Sequence, residues 1–292
     1  MASLKEIKGR ITSVKSTQKI TSAMKMVASA KLRKAQYQIE SFLPYQSKLD
    51  EMLHSFLSSV SDFESHLSEE RELKRVAIIV ISSNSSLCGA FNSNAIRLLN
   101  EAIERYRKPC DLIEVYPIGK KVEDYIRKSD LPVEIKGSYI DLMDKPYFEG
   151  AKQIAEQVVI DFLEKKIDRV ELIYNHFKST AVQIPTVEQF LPVVLHTGEE
   201  DNQESTLNTD YIVEPDKKTI ISSLIPKSLN SKIYAAVLDS AAAEQAARTV
   251  AMQIASDNAD DILEELTIQF NKQRQQAITN ELLDIAGGKV ER

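Results

Sequence analysis

Residues Ser240–Ser256 read SAAAEQAARTVAMQIAS, an alanine-rich run inside a stretch of 60 residues, Lys227 to Ala286, that contains neither Gly nor Pro. Gly and Pro are the residues that interrupt helices, and Gly287–Gly288 then supplies the expected stop. Ala247, Val250, Ile254, Ala259, Ile262, Leu266, Phe270, Ile278, Leu282 and Ile285 recur at mostly three- and four-residue spacings. They predict one buried stripe along a very long helix. At 1.5 Å per residue such a helix reaches ~90 Å, far beyond the width of a globular domain of this size. Alanine in the stripe lets a second helix approach closely while burying little area per layer. A symmetric dimer would favour Leu or Ile there, so a slender rod formed within one chain is the expectation.

The second helix of that rod is at the other end. Between Gly9 and Pro44 there is again no Gly or Pro, and Ile7, Ile11, Val14, Ile20, Met24, Val27 and Ala30 keep helical spacing. The pattern continues through Leu49, Leu53, Phe56 and Leu57 and fades in SSVSDFESHLSEE.

The middle has another rhythm. RVAIIVIS (75–82), DLIEVYPIG and RVELIYNHF read as buried strands. NAIRLLNEAIERYR, KKVEDYIRKS and AKQIAEQVVIDFLEKK read as helices, the first with Asn92 or Ser93 as N-cap. VQIPTVEQFLPVV reads as a further strand or pair, its prolines marking an edge. Alternation of this kind predicts a mostly parallel, Rossmann-like open α/β sheet. The expected organisation is a long N-terminal helix over 1–60, an α/β domain over 74–195, an acidic loop over 196–214 and a long C-terminal helix over 215–292. The two long helices form an antiparallel coiled coil.

Composition narrows function. The chain has 292 residues, a net charge of −6 and two cysteines, Cys88 and Cys110. Two cysteines make no disulfide framework, MASLKEIKGR is no signal peptide, and no run approaches the ~18 apolar residues of a membrane span. Charge is unevenly distributed: the first 36 residues carry nine basic side chains against Glu6 alone. A basic helix on an acidic chain speaks of a partner. The apolar face of Ile, Val, Met and Ala is poor for a membrane surface, and Tyr37 is the first aromatic, which is poor for nucleic acid. An acidic protein surface fits best.

Catalytic patterns are weak. SSLCGAFNSN follows a strand and precedes a helix, but neither phosphate-binding glycine motif is complete, and IGKK (118–121) has only the tail of one. Cys88 has no histidine nearby in sequence, and His54, His66, His176 and His196 lack metal-ligand spacing. No cofactor and no metal is expected. Asp260–Asp261 and Glu264–Glu265 read as a solvated helix face.

The opening LKEIKGRITSVKSTQKITSAMKMVASAKLRKAQ and the closing AAAEQAARTVAMQIASDNADDILEELTIQFNKQRQQAITNELLDIAGG resemble the terminal helices of the gamma subunit of F-type ATP synthases. LCGAFNSN, DYIVEP and LNSKIYAAVLDSA resemble the same family, in order. The resemblance implies a rotating central shaft, itself non-catalytic, inside a ring of three alpha and three beta subunits. It implies an epsilon subunit and a membrane ring of c subunits at the foot. It also implies a place peripheral to the cytoplasmic side of a bacterial inner membrane. Beta-subunit contacts are implied at Met24, Lys25, Lys31, Arg33, Lys34, Arg248, Arg274, Gln275, Thr279 and Glu281. Epsilon or c-ring contacts are implied at Tyr211 and Glu214. The sequence departs from many relatives in its charged tail GGKVER, in SSNSS before Leu87, and in an acidic loop without the paired thiols of chloroplast versions. A coiled-coil scaffold without rotary function is the alternative.

Overall fold

The structure, a computed structural model, describes residues 3–58, 66–193, 213–214 and 216–287. The long helices are α1 (Leu4–Ser58) and α6 (Lys217–Gly287). Between them lie β1 (Arg75–Ile81), α2 (Phe91–Tyr106), β2 (Leu112–Ile118), α3 (Lys120–Lys128), β3 (Glu134–Ile135), α4 (Asp141–Asp144), α5 (Phe148–Leu163), β4 (Arg169–Phe177) and β5 (Gln183–Leu191). Both long helices exceed the Gly- and Pro-free windows, because Pro44 lies inside α1 and Pro226 inside α6. Asp216 fixes the start of α6: its carboxylate accepts the Thr219 backbone N–H and hydroxyl, each at 2.8 Å.

The five strands are ordered β3-β2-β1-β4-β5. The first four are mutually parallel, and β5 joins β4 antiparallel as a single edge strand. Central β1 explains its own sequence. A parallel strand covered on both faces needs apolar residues at every position, and Val76 through Ile81 are all fully buried. Ala77, Ile79 and Ile81 pack with α5 and with parts of α1 and α6, including Leu49, Phe56 and Ile233. Val76, Ile78 and Val80 pack instead with α2 and α3, around Leu99, Ile103 and Val122.

The expected N-cap of α2 is corrected. The cap position is Ala90, without a side-chain hydrogen bond. Asn92 turns back to the end of β1, where its Oδ1 accepts the Ser83 N–H at 3.0 Å. The Ser93 hydroxyl donates to the Ala90 carbonyl at 3.0 Å. Both polar groups found partners closer than the helix-start amides.

Contacts divide the chain into two units: the described residues up to Ala30 with those from Arg248 on, and Lys31–Ala247. In the first, the Gln18 amide donates to Asp260 at 3.0 Å and Thr21 meets Ser256 at 2.8 Å. Partners climb on α1 as they descend on α6, so the pair is antiparallel. In the second unit, Leu32 and Ala35 pack with Ala242 and Ala246.

The buried stripes differ from the expected ones. On α1 of the first unit the inward positions are Leu4, Ile7, Ile11, Val14, Gln18, Thr21, Lys25 and Ala28. On α6 they are Met252, Ser256, Ala259, Leu263, Leu266, Phe270, Gln273 and Ala277. Both alternate strictly between three and four, the heptad spacing of a supercoiled pair. Ile20, Val27, Ile254, Ile262, Ile278, Leu282 and Ile285, expected inside, are exposed. The seam keeps its heptad geometry through polar layers such as Thr21–Ser256 and leaves Ile20, Val27, Ile254 and Ile262 outside, while Ile278, Leu282 and Ile285 lie past the start of α1.

Candidate partner-binding surface

The basic helix owes its availability to that register. Near Met24 the outer face of α1 carries Ile20, Met26 and Val27, exposed by 60%, 66% and 58%. Met24 and Lys25 are half-buried beside them. The inward turn of α1 spends Gln18 and Thr21 on the seam, so a set of large apolar groups faces solvent among lysines. Lys15, Lys19 and Lys25 make no ion pair among the described residues. An exposed apolar patch rimmed by unpaired cations is the signature of an interaction site for an acidic partner.

On α6 of the same unit, Asp257, Asp260, Asp261, Glu264 and Glu265 form an acidic band, all exposed. One helix of the pair is thus basic and the other acidic, an arrangement that favours their pairing. Among the described residues nothing is buried beyond Leu266. Antiparallel pairing places the start of α1 near residue 274, so the last turns of α6 have no α1 residues beside them. Leu282, Leu283 and Ile285 there are more than 60% exposed.

The residues implicated by sequence occupy separate places. Arg274, Gln275, Thr279 and Glu281 are exposed on this last stretch of α6, and the Thr279 hydroxyl donates to the Gln275 carbonyl at 2.9 Å. Thr21 meets Ser256, so Met24 and Lys25 are level with the residues just before Ser256. Arg274 lies about 30 Å further along at 1.5 Å per residue. The two groups are therefore distinct patches on one rod. Arg248 is buried, at 8% exposure. Lys31, Arg33 and Lys34 are exposed on α1 of the other unit, and Glu214 is exposed ahead of α6. Tyr211 and the acidic loop 197–210 lie outside the described residues. Ile20, Met26 and Val27 escaped sequence reasoning as surface residues. The heptad through Gln18, Thr21 and Lys25 was the signal that would have exposed them.

In an open parallel sheet, ligands bind beyond the carboxyl ends of the strands, where strand order reverses. Here that place lies between β1 and β4, and the chain's own side chains close the carboxyl ends of β1 and of both its neighbours, β2 and β4. Asn84 Oδ1 accepts the Lys120 N–H at 2.9 Å and Ser82 Oγ accepts the Val122 N–H at 3.0 Å. These are the α3 amides that would otherwise hold an anion. Gly119 has φ +98°, and a Cβ there would lie 2.1 Å from the Ser82 carbonyl oxygen. Asn175 donates to the Phe91 carbonyl at 3.2 Å, and Phe91 packs with Cys88, Ala243 and Ala247. The glycine loop is a structural turn that seats α2 against α6.

Cys88 is buried and receives the Asn92 amide at 3.1 Å. Cys110 is half-buried, and burial pushes its thiol above the ordinary range, which lowers its reactivity. Among the described residues no group of His, Cys, Asp and Glu could hold a metal ion, and no helix is long and apolar enough to cross a membrane.

A family model described as ATP synthase matches residues 3–290. The ATP synthase gamma chain of Azobacteroides pseudotrichonymphae is 57% identical over 286 residues, covering 98% of this chain and 97% of that one. The ATP synthase gamma chain of Bacteroides fragilis is 54% identical over 291 residues, covering 99% and 100%. This chain belongs to the ATP synthase gamma chain family. The central stalk and c-ring structure of the Tetrahymena thermophila mitochondrial ATP synthase contains a similar chain, with TM-score 0.57 and 25% identity, covering 81% of this chain and 99% of that one. A chain of the Euglena gracilis mitochondrial ATP synthase shares the fold, with TM-score 0.65 and 20% identity, covering 98% and 93%. Gamma chain membership assigns the long helices and the inserted sheet to a central stalk subunit.

Proposed function

We propose that this chain is the rotary shaft of a proton-translocating ATP synthase. The observation that supports it most is the exposed face of the helical pair. Apolar Ile20, Met26 and Val27 stand among cations that make no ion pair among the described residues, in a gamma chain family member matched along nearly its full length. The chain itself does no chemistry; ATP is made and hydrolysed on beta subunits. One copy sits inside three alpha–beta pairs, and its foot, with an epsilon subunit, rests on the c ring. Its only membrane attachment is through that ring, on the cytoplasmic side of a bacterial inner membrane.

Mechanism follows from asymmetry. A rod with a basic face, an acidic face and uneven apolar patches offers each surrounding beta subunit different contacts. A contact shifts a conformational equilibrium only by its difference in affinity for the two states. Rotation exchanges those differences among the three sites and so cycles their nucleotide affinities. Lys25, Lys31, Arg33 and Lys34 supply charge opposite an acidic beta segment. Met24 is a flexible apolar contact that slides from one beta subunit to the next. Arg274, Gln275, Thr279 and Glu281 form a second contact further along α6. Arg248, buried, positions the rod for the first contact. Tyr211 and Glu214 belong to the foot.

The test is ATPase activity of purified alpha and beta subunits with and without this chain, with copies counted in the complex. One copy per three alpha–beta pairs and multi-site turnover are expected. A folded chain that fails to join them overturns the proposal.

A further inference from the structure

Within Lys31–Ala247, a cavity of about 410 Å³ lies where α1 and α6 pass the β4–β5 face. That volume is in the range of small-molecule sites, which are mostly apolar with a few placed polar groups. The room comes from Ala235 and Ala236 on α6, where larger side chains would fill it. Ile39, Phe42, Leu172 and Phe177 supply apolar wall, and exposed Leu43 stands at the rim.

The polar groups share a bias. Lys232 is matched by Glu188 at 3.2 Å. Asp239 reaches the His176 Nδ1 at 2.6 Å and accepts the Phe177 N–H at 2.9 Å. Burial holds the Asp239 carboxyl above its usual range, against the lowering effect of its His176 hydrogen bond. Glu40, also on the lining, makes no ion pair among the described residues. Gln46 adds an acceptor: its Oε1 is buried and without a hydrogen-bond partner among the described residues. A carboxylate without an ion pair among the described residues, a second carboxylate shared with a histidine, and an orphan acceptor around an apolar floor call for a ligand that is greasy and donates from a positive charge.

We propose that this cavity binds a small amphipathic organic cation, an apolar body of ring or branched-chain size carrying one protonated amine. The amine meets Glu40, Asp239 and the Gln46 oxygen, and the body fills the space over Ala235 and Ala236. Every lining residue belongs to one unit of the chain.

The full chain is titrated by calorimetry at pH 8 with 4-phenylbutylamine and, separately, with 4-phenylbutanoate, which has the same body and the opposite charge. Saturable one-to-one binding of the amine is expected, with the carboxylate at least tenfold weaker. Ala235→Leu fills the cavity and weakens the amine at least tenfold. Glu40→Gln, on an exposed helix face, leaves the melting curve unchanged and narrows the amine-to-carboxylate preference about threefold. If Ala235→Leu does not fold, Glu40→Gln decides. Equal affinity for the two probes, no saturable amine binding, or a preference unmoved by Glu40→Gln overturns the proposal.

Discussion

Replacing Thr21 by valine leaves a buried serine without its acceptor, and that single layer measures how the helical pair is held. The Thr21 hydroxyl donates to the Gln18 carbonyl at 3.0 Å. Its proton is thereby committed, so in the 2.8 Å contact the Ser256 hydroxyl donates to Thr21. Both side chains are buried, at 9% and 8% exposure. Thr21→Val strands the Ser256 hydroxyl in the seam and should cost about 1–2 kcal/mol. Ser256→Ala removes the donor while Thr21 keeps its backbone acceptor, so its cost should be about 0.5–1 kcal/mol. The double variant has no unpaired hydroxyl and buries methyl groups instead. It should be no worse than Thr21→Val alone, giving a coupling of about 1 kcal/mol. Amide hydrogen exchange along α1 and α6 reads the local opening. Thr21→Val should lower protection about 5- to 30-fold, since 1.4 kcal/mol is tenfold. Strictly additive losses in the double variant would refute the reasoning, because they would mean that the two hydroxyls do not bond each other.

Other perturbations test other parts. Gly119→Ala puts a Cβ 2.1 Å from the Ser82 oxygen at a φ of +98°, and should cost more than about 3 kcal/mol, read by urea denaturation. Asp216 is held below its usual carboxyl range, chiefly by the Thr219 backbone N–H. Its folded pKa is the lower one. Its cap therefore contributes fully above the unfolded aspartate pKa of about 4 and fades as pH falls through the folded value. Exchange protection of the first turns of α6 should follow that pH course, and Asp216→Asn should abolish the pH dependence. Lys25→Glu should lower coupling of ATP hydrolysis to proton pumping in sealed vesicles more than it lowers the melting temperature. Equal coupling in variant and parent would remove Lys25 from the contact.

The architecture was legible wherever a residue type has one physical use. RVAIIVI could only be a strand covered on both faces, and the window from Lys227 to Ala286 could only be helix. Polar groups with a choice of partners were not legible. Asn92 and Ser93 suit an N-cap, yet the Ser83 amide and the Ala90 carbonyl took them. The seam was hidden for a related reason. Counting apolar residues put Ile20 and Val27 inside, whereas the heptad runs through Gln18, Thr21 and Lys25. Hydrophobicity reports what prefers to leave water, and it does not separate the seam of a rod from a face reserved for another protein. Pro44 and Pro226 were equally ambiguous, as long helices continue through both.

The central claim is rotation, and single-molecule observation tests it most directly. The alpha–beta ring is fixed to a surface and a bead is attached to the α/β domain of this chain through an added exposed cysteine. With ATP supplied, the account predicts continuous rotation in one direction, in steps shared among three beta sites. A chain that assembles one copy per ring and sustains hydrolysis while the bead stays still would contradict it.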